Sequence, residues 1–451
     1  ASTNIMRSVF YSIFLTDVVG LEPRLASLAV PIGIGWDAIN DPIVGMLSDR
    51  VRTRWGRRRP FLLFFAIPFG LSFVALWAAP PWESQVALLV YVTLAYILSD
   101  TFYTLIAVPL YSLTPELFPD YDDRTVIMGL RSFFQFAASI LTVVTAPAIV
   151  DSALASGLTL QQGYLTVASL FGALAVIPFL VIFFIVRERA VIEETESLPL
   201  GTTLSKAWSN VPFRFAAGMF MFNWAAADVV ALTFPYFLLY WVEQGDLLAK
   251  ASVFGMSVSL ESAFFGLLML VSIAALPFWA WFAQKVDKRI AYIAGMIFWA
   301  AVQFSILAIQ PGQILPLMIV AALAGIGISA AYILPDAMFA DIIEWDELRT
   351  GRRQEGIYFG ARAFIRKSAG GIAIFSALQF LGWTGYVNPP DGATLFQQPA
   401  GALLTIRLLV SAFGGVMLLG AVVMAWLYPL TREKHARILQ ALARRRERRD
   451  A

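Results

Sequence analysis

The sequence predicts an all-α polytopic membrane protein made of two six-helix halves, and three observations carry that prediction. Of 451 residues, 59% are hydrophobic and only 14% are charged, where soluble domains carry about 25% charged residues. Long apolar stretches recur at the length that a bilayer demands, about 20 residues each. A motif from the first half of the chain returns in the second.

Twelve apolar stretches lie at about 5–21, 25–47, 60–79, 85–112, 126–150, 163–187, 213–241, 256–283, 290–309, 313–337, 357–382 and 400–428. The first is short, and no signal peptide is visible. The connecting segments give the orientation. The segment after the second stretch holds Arg50, Arg52, Arg54, Arg57, Arg58 and Arg59; the later even-numbered connections also carry Arg and Lys, while the odd ones offer only Arg24 and Lys250. Positive charge stays on the cytoplasmic side, so the even connections and both termini are expected there, in a plasma (inner) membrane.

The halves are expected at 1–187 and 212–428, joined by a polar cytoplasmic linker, 188–211, and followed by a basic tail, 429–451. PELFPDYDDR…GLRSFFQF (115–136) parallels PDAMFADIIEWDELR…GARAFIRK (335–367). Each has a proline ending a helix, an acidic connection, and Gly-x-Arg-x-Phe opening the next helix. Two parallel six-helix repeats are the plan of a major facilitator transporter, with the substrate between the halves near mid-membrane.

Composition also excludes. Cysteine is absent and the single histidine is His435 in the tail, so disulfides, thiolate metal sites, a histidine metal cluster and a Ser–His–Asp triad have no parts. No enzyme chemistry and no cofactor are expected. A net charge of +2 gives no reason to expect a nucleic-acid partner.

Ionisable groups inside spans cost about 2.5–3.5 kcal/mol each at the bilayer centre and so face a cavity or a partner. WDAINDP (36–42) puts Asp37, Asn40 and Asp41 on one helix face, because positions i, i+3 and i+4 are neighbours. Two carboxylates so close in a low dielectric cannot both stay ionised alone; one takes a proton or a cation sits between them. Carboxylate and amide oxygens suit hard cations, and Thr104, one turn beyond Asp100, could add a hydroxyl. The expectation is a Na⁺ or H⁺ site, with Na⁺ at Asp37 and Asp41; the alternative is a fixed salt bridge to Arg7 or Arg131.

TDVVGL (16–21), WDAINDPIVG (36–45), RTRWGRRRP (52–60) and EGIYFGARAFIRKSAGG (355–371) resemble the glycoside–pentoside–hexuronide:cation symporters of the major facilitator superfamily, the melibiose permease group. The resemblance covers nearly the whole chain. It implies that Asp37, Asn40, Asp41 and Thr104 form the coupling-cation site, that Lys367 lies between cation and substrate, and that Arg131 is a buried charge. It also marks departures. Ala107 stands where the family's pattern has a sugar-holding aspartate, the other such aspartate would align near Ala1, and Arg362 with Ala363 replaces a polar pair.

Arg362 and Arg366 share a helix face beside Lys367, and Arg7 and Arg131 supply charges from the first half. Arginine forks fit carboxylate and phosphate geometry, which favours a solute bearing an anionic group, such as a uronide or a lysolipid, over a galactoside held by two carboxylates. The alternative pairs these arginines with Asp37, Asp41, Asp100 or Asp228. Asp100, Asp228 and Asn223 are further polar intrusions that could line the substrate path. Tyr236, Tyr240, Trp241 and Trp345, near span ends, read as interface anchors.

GMLSDRVRTRWGRRR (45–59) supplies the pieces of a cytoplasmic latch. Asp49 accepts hydrogen bonds at a helix end, while Arg50, Arg57 and Arg58 reach acidic partners such as Glu116, Asp120, Asp341 and Glu344. Single exposed pairs contribute only about 0–1 kcal/mol, so only a network would hold. The tail ARRRERR reads as a solvated basic helix near anionic lipid. The function expected is cation-coupled symport of a sugar, uronide or lysolipid by a monomer, with a channel or scramblase as the competing class.

Overall fold

The computed structural model describes residues 2–78, 80–117, 121–187, 205–246, 251–253, 256–351, 355–390 and 395–450, with some side chains inside helices outside that set. We number the helices along the chain: α1 over 2–18, α2 Pro23–Arg50, α3 Arg59–Leu76, α4 Gln85–Leu117, α5 Tyr121–Ala155, α6 Leu160–Ile185, α7 Val211–Val242, α8 Leu260–Lys285, α9 Lys288–Ala308, α10 Ile314–Thr350, α11 Glu355–Trp383, α12 Ala400–Leu427 and α13 Arg432–Asp450. Strands Ala251–Val253 and Met256–Val258 pair antiparallel before α8, the first where a connection is expected and the second at the start of the expected apolar stretch 256–283.

Nine of these helices are long and apolar enough to cross a membrane among the described residues. The four outside that group are α1, α2, α11 and the basic tail helix α13. Asp37, Asn40 and Asp41 interrupt the apolar run of α2, and Arg362, Arg366 and Lys367 interrupt that of α11. Charge is concentrated in these two helices, although Asp100 on α4 and Asp228 on α7 lie within more apolar ones.

The chain forms two compact units. Unit 1 is Ala1–Glu194 with Pro235–Gly266 and Phe375–Thr405; unit 2 is Thr195–Phe234 with Leu267–Ile374 and Ile406–Ala451. In unit 1, α3 packs on α4 and α6, and α2 packs on α4. In unit 2, α9 packs on α10 and α12, the pairing of α3 repeated six helices later. Lipid offers no hydrophobic reward for helix association, so van der Waals fit must supply it. Unit 1 stacks Trp77 on Tyr164 with centroids 5.6 Å apart and sets Phe14 against Trp77 at 4.9 Å. Unit 2 buries Trp299, Tyr292, Phe213 and Phe220 in one cluster.

Four stretches depart from regular α-helix by widening. Met6–Phe10 and Phe14–Val18 of α1, Phe237–Val242 of α7 and Leu409–Phe413 of α12 take the wider π pitch. In α7 the π turn follows Pro235, whose missing N–H removes a ladder hydrogen bond.

The tail helix makes a contact that the sequence does not announce: α13 packs against the end of α10, with Ile438 and Leu442 buried in the unit 2 core, while Arg444 and Arg445 of ARRRERR are exposed. Ile438 and Leu442, four apart, form a short apolar stripe that the surrounding arginines hide from any reading by composition.

Candidate functional site

In unit 1, α2 and α4 are joined by a row of contacts. Gly33 lies against the ring of Tyr96, which a Cβ at 33 would approach to 2.6 Å. One turn on, the Trp36 indole donates to Thr101 Oγ1 at 2.9 Å. Next, Thr104 Oγ1 donates to Asp41 Oδ1 at 3.2 Å. Asn40 is buried, and its Nδ2 makes no hydrogen bond among the described residues. A buried amide end left unpaired costs about 1–3 kcal/mol, and rotating the amide would put an oxygen at that place. Asp37 lies half-buried one turn before Asp41. The structure therefore brings together two carboxylates, an amide and a hydroxyl, all oxygen donors once the amide is turned.

Arg7, on α1, faces the same region. Its Nη1 lies 3.8 Å from Asp100 Oδ1, and its guanidinium sits 5.5 Å from the Tyr96 ring centroid. Arg7 pairs with Asp100, and Asp37 is also close enough to act on its charge. The side chains of Asp49, Glu116 and Arg131 and all of Asp120 lie outside the described residues.

In unit 2, Arg366 on α11 grips Asp228 on α7 with both arms, Nη1–Oδ2 at 2.6 Å and Nη2–Oδ1 at 2.9 Å. The guanidinium lies 3.9 Å from the ring centroid of Trp224, which meets Tyr332 edge-on at 5.1 Å. Gly370, one turn beyond Arg366, makes room, since a Cβ there would run into Asp228 and Arg366. Asn223 donates to the carbonyl of Ala331 at 3.2 Å. Arg362 pairs with Asp336 of α10 and lies over the rings of Phe220 and Phe339, at 4.8 and 5.2 Å. Lys367 is exposed on α11. Of the sequence-stated alternatives, pairing to Asp228 holds for Arg366, whereas Arg362 takes Asp336, a residue that the sequence reading did not single out.

Asp341 and Glu344 were expected to receive arginines from the 50–59 segment. Inside unit 2 their carboxylates have partners of their own. Lys288 Nζ lies 2.6 Å from Asp341 Oδ1, and His435 Nε2 lies 2.5 Å from Glu344 Oε2. Docking of α13 is the physical reason, because it carries His435 onto the acidic end of α10. Arg50 is exposed and Arg58 buried, with Arg57 between.

Sequence reasoning missed a third cluster. Asp17 of α1 accepts hydrogen bonds from Thr16 Oγ1 at 2.6 Å and from the hydroxyls of Tyr240 on α7 and Tyr386, which follows α11. Tyr236 OH lies 2.9 Å from Thr16 Oγ1, and the hydroxyls of Tyr386 and Tyr240 lie 3.2 Å apart. Nearby, Arg24 donates to the carbonyl of Gly382 and Gln379 to Ser27. Tyr236 and Tyr240 are buried and bonded, and so are not the interface anchors they were expected to be. An aspartate in an apolar run was the available signal, the same one that drew attention to WDAINDP.

Beside this cluster unit 1 encloses a cavity of about 120 Å³, lined among others by Asp17, Asp151, Glu243, Asp246, Glu261 and Tyr164. Burial, reinforced by Glu261, Asp246 and Asp151, pushes the Glu243 carboxyl up to about 8.

A family model described as MFS/sugar transport protein matches residues 2–432. An uncharacterized symporter of Synechocystis sp. is 30% identical, covering 97% of this chain and 93% of its own length. A putative glycoside/cation symporter of Escherichia coli is 27% identical over 96% of this chain and 90% of its own. The sodium-dependent lysophosphatidylcholine symporter 1 of Mus musculus is 26% identical over 97% of this chain and 84% of its own. Among solved structures, a bacterial homolog of the human lysosomal transporter Spinster, in an inward-facing and unoccupied conformation, superposes with a TM-score of 0.69 at 13% identity. It covers 98% of this chain and 95% of that one, a likeness of fold alone.

Proposed function

This chain belongs to the MFS/sugar transport protein family, and from that premise we propose that it is a Na⁺-coupled symporter of an uncharged glycoside. It works by alternating access, as a monomer in the plasma (inner) membrane with both termini cytoplasmic. The observation that carries the coupling is the meeting of Thr104 with Asp41 beside Asp37 and Asn40. A proton needs one carboxylate. A metal cation needs several oxygens, and here a hydroxyl and an amide accompany the two carboxylates. The sodium named for the mouse relative points the same way.

The unit 2 cluster supports the choice of solute. The guanidinium forks expected to receive an anion are held by Asp228 and Asp336. These two pairs carry no net charge, and their polar edges suit the hydroxyls of a sugar better than an anion. Cation binding offsets the α2 charge and lets the loaded carrier reorient; an empty carrier keeps that charge and is held back. Ligands shift such equilibria only by their differential affinity for the two states.

The test is uptake and counterflow in proteoliposomes with an imposed Na⁺ gradient, across a panel of glycosides, uronides and lysophosphatidylcholine. Saturable, Na⁺-stimulated exchange of a glycoside is expected. Conductance without exchange would refute the carrier, and Na⁺-independent uptake would refute the coupling. Selective exchange of the lysolipid would move the solute to the second reading, which the mouse relative favours.

A further inference from the structure

The family match ends at residue 432, and the chain's single histidine lies just past it, on α13. There His435 Nε2 faces two carboxylates of α10, Glu344 Oε2 at 2.5 Å and Asp341 Oδ1 at 3.4 Å. Asp341 and Glu344 are three residues apart, and so on one face of their helix. One ligand atom from each of the three residues lies within 4.8 Å of the others.

We propose that Asp341, Glu344 and His435 form a binding site for a borderline divalent cation of the zinc class, which staples the tail helix to α10. The donor set is one imidazole nitrogen and two carboxylate oxygens, the kind of mixture zinc takes in tetrahedral sites with bonds of about 2.0–2.2 Å. Tetrahedral bonds of that length separate donor atoms by about 3.3 Å, close to the His435–Asp341 spacing. Glu344 must withdraw slightly from His435 to admit the ion, exchanging a shared hydrogen for a metal.

Burial is graded in a useful way. Asp341 is buried, whereas the side chains of Glu344 and His435 keep 25% and 21% of their surface, so an ion can enter and retain a water as fourth ligand. Magnesium, which demands an octahedral oxygen shell and dehydrates reluctantly, does not fit this set.

One group opposes the ion. Lys288 Nζ lies 2.6 Å from Asp341 Oδ1 and also donates to the carbonyl of Ala337 at 3.3 Å. It holds the same Oδ1 that faces His435, so an ion takes that oxygen by displacing the ammonium or binds Oδ2 in its place. Removing this ammonium should tighten the site, an effect opposite to that of losing a ligand.

The experiment uses the full chain in lipid nanodiscs, stripped with chelator and titrated with ZnCl₂ in a calorimeter, with MgCl₂ as control. One zinc per chain is expected, with a rise in Tm that magnesium does not give. His435→Gln and Glu344→Gln each weaken binding by roughly tenfold or more, while Lys288→Met strengthens it. CoCl₂ should give the visible ligand-field bands of a tetrahedral site in the wild type and not in His435→Gln. Glutamine at 435 keeps a hydrogen-bond donor toward Glu344, and Tm without metal checks that this variant folds; Lys288→Met changes affinity in the direction that unfolding cannot mimic. Zinc binding equal in wild type and His435→Gln, or equal stabilisation by magnesium, would overturn the site. Transport does not enter the readout, so the result stands apart from the symport proposal.

Discussion

In unit 1 the carboxylate of Asp41 takes a hydrogen bond from a neutral hydroxyl, Thr104; in unit 2 the carboxylate of Asp228 takes two from a guanidinium, Arg366. Both acids lie in helices of a membrane protein, yet their surroundings differ in kind. A fork that matches a carboxylate in charge and geometry closes its own account electrically and offers a solute only dipoles and edges. A carboxylate beside a second one, an amide and a hydroxyl offers charge and oxygen ligands to an ion. The difference teaches that the two units, alike in the packing of α3 and α9, are specialised by a few polar side chains.

The sharpest way to break the comparison is to neutralise the first site. Asp41→Asn is expected to abolish concentrative uptake in proteoliposomes while Tm stays within a few degrees of wild type; uphill accumulation at the normal rate would remove Asp41 from the coupling site. The second site should respond in stability instead. Arg366→Ala leaves Asp228 without its counter-charge, and breaking a buried pair costs about 3–5 kcal/mol. With 32% of the Arg366 side chain exposed, the lower end, about 3 kcal/mol, is expected in unfolding measurements. Adding Asp228→Asn should recover much of that loss, and a double variant as unstable as the single would show that packing on Trp224 dominates.

A smaller effect is expected at Asp17. Tyr386→Phe deletes one of three hydroxyl contacts, a loss of about 1 kcal/mol, and should loosen this end of unit 1. The chain has no cysteine, so Ser259→Cys in the adjoining cavity provides a lone label site. Its thiol should react several-fold faster in the Tyr386→Phe background, and an unchanged rate would assign Tyr386 to local packing. The smallest effect is one of pH. Glu243 has a folded value of about 8 against 4.5 in the unfolded chain, so folding favours its protonated form. Its contribution is fully present below about pH 4.5 and is lost as pH rises through about 8. Tm should decline across that window, and Glu243→Gln should flatten the decline.

Much of this was legible in the sequence, for reasons that single residues make plain. Apolar runs long enough for a bilayer located the helices, because nothing else satisfies their backbone in lipid. Asp37, Asn40, Asp41 and Thr104 could be grouped because helical spacing places the first three on one face. Partner choice was not legible where the partner sits on another helix. Arg362 found Asp336, and Lys288 found Asp341, through packing that no spacing rule encodes. The docking of α13 escaped notice because two apolar residues were outnumbered by arginines, and Tyr240 passed for an interface anchor because its position near a span end fits both roles.

The π turns of α1 hold both Arg7 and Asp17. Such a turn is in effect one inserted residue, accommodated without ending the helix. Every side chain downstream is swung by about 100° relative to an uninterrupted α-helix. Excising a single residue from Phe237–Val242 would let that stretch relax into ordinary pitch and aim Tyr240 elsewhere. Sequence comparisons of this region should therefore treat a one-residue gap as a change of facing rather than of length.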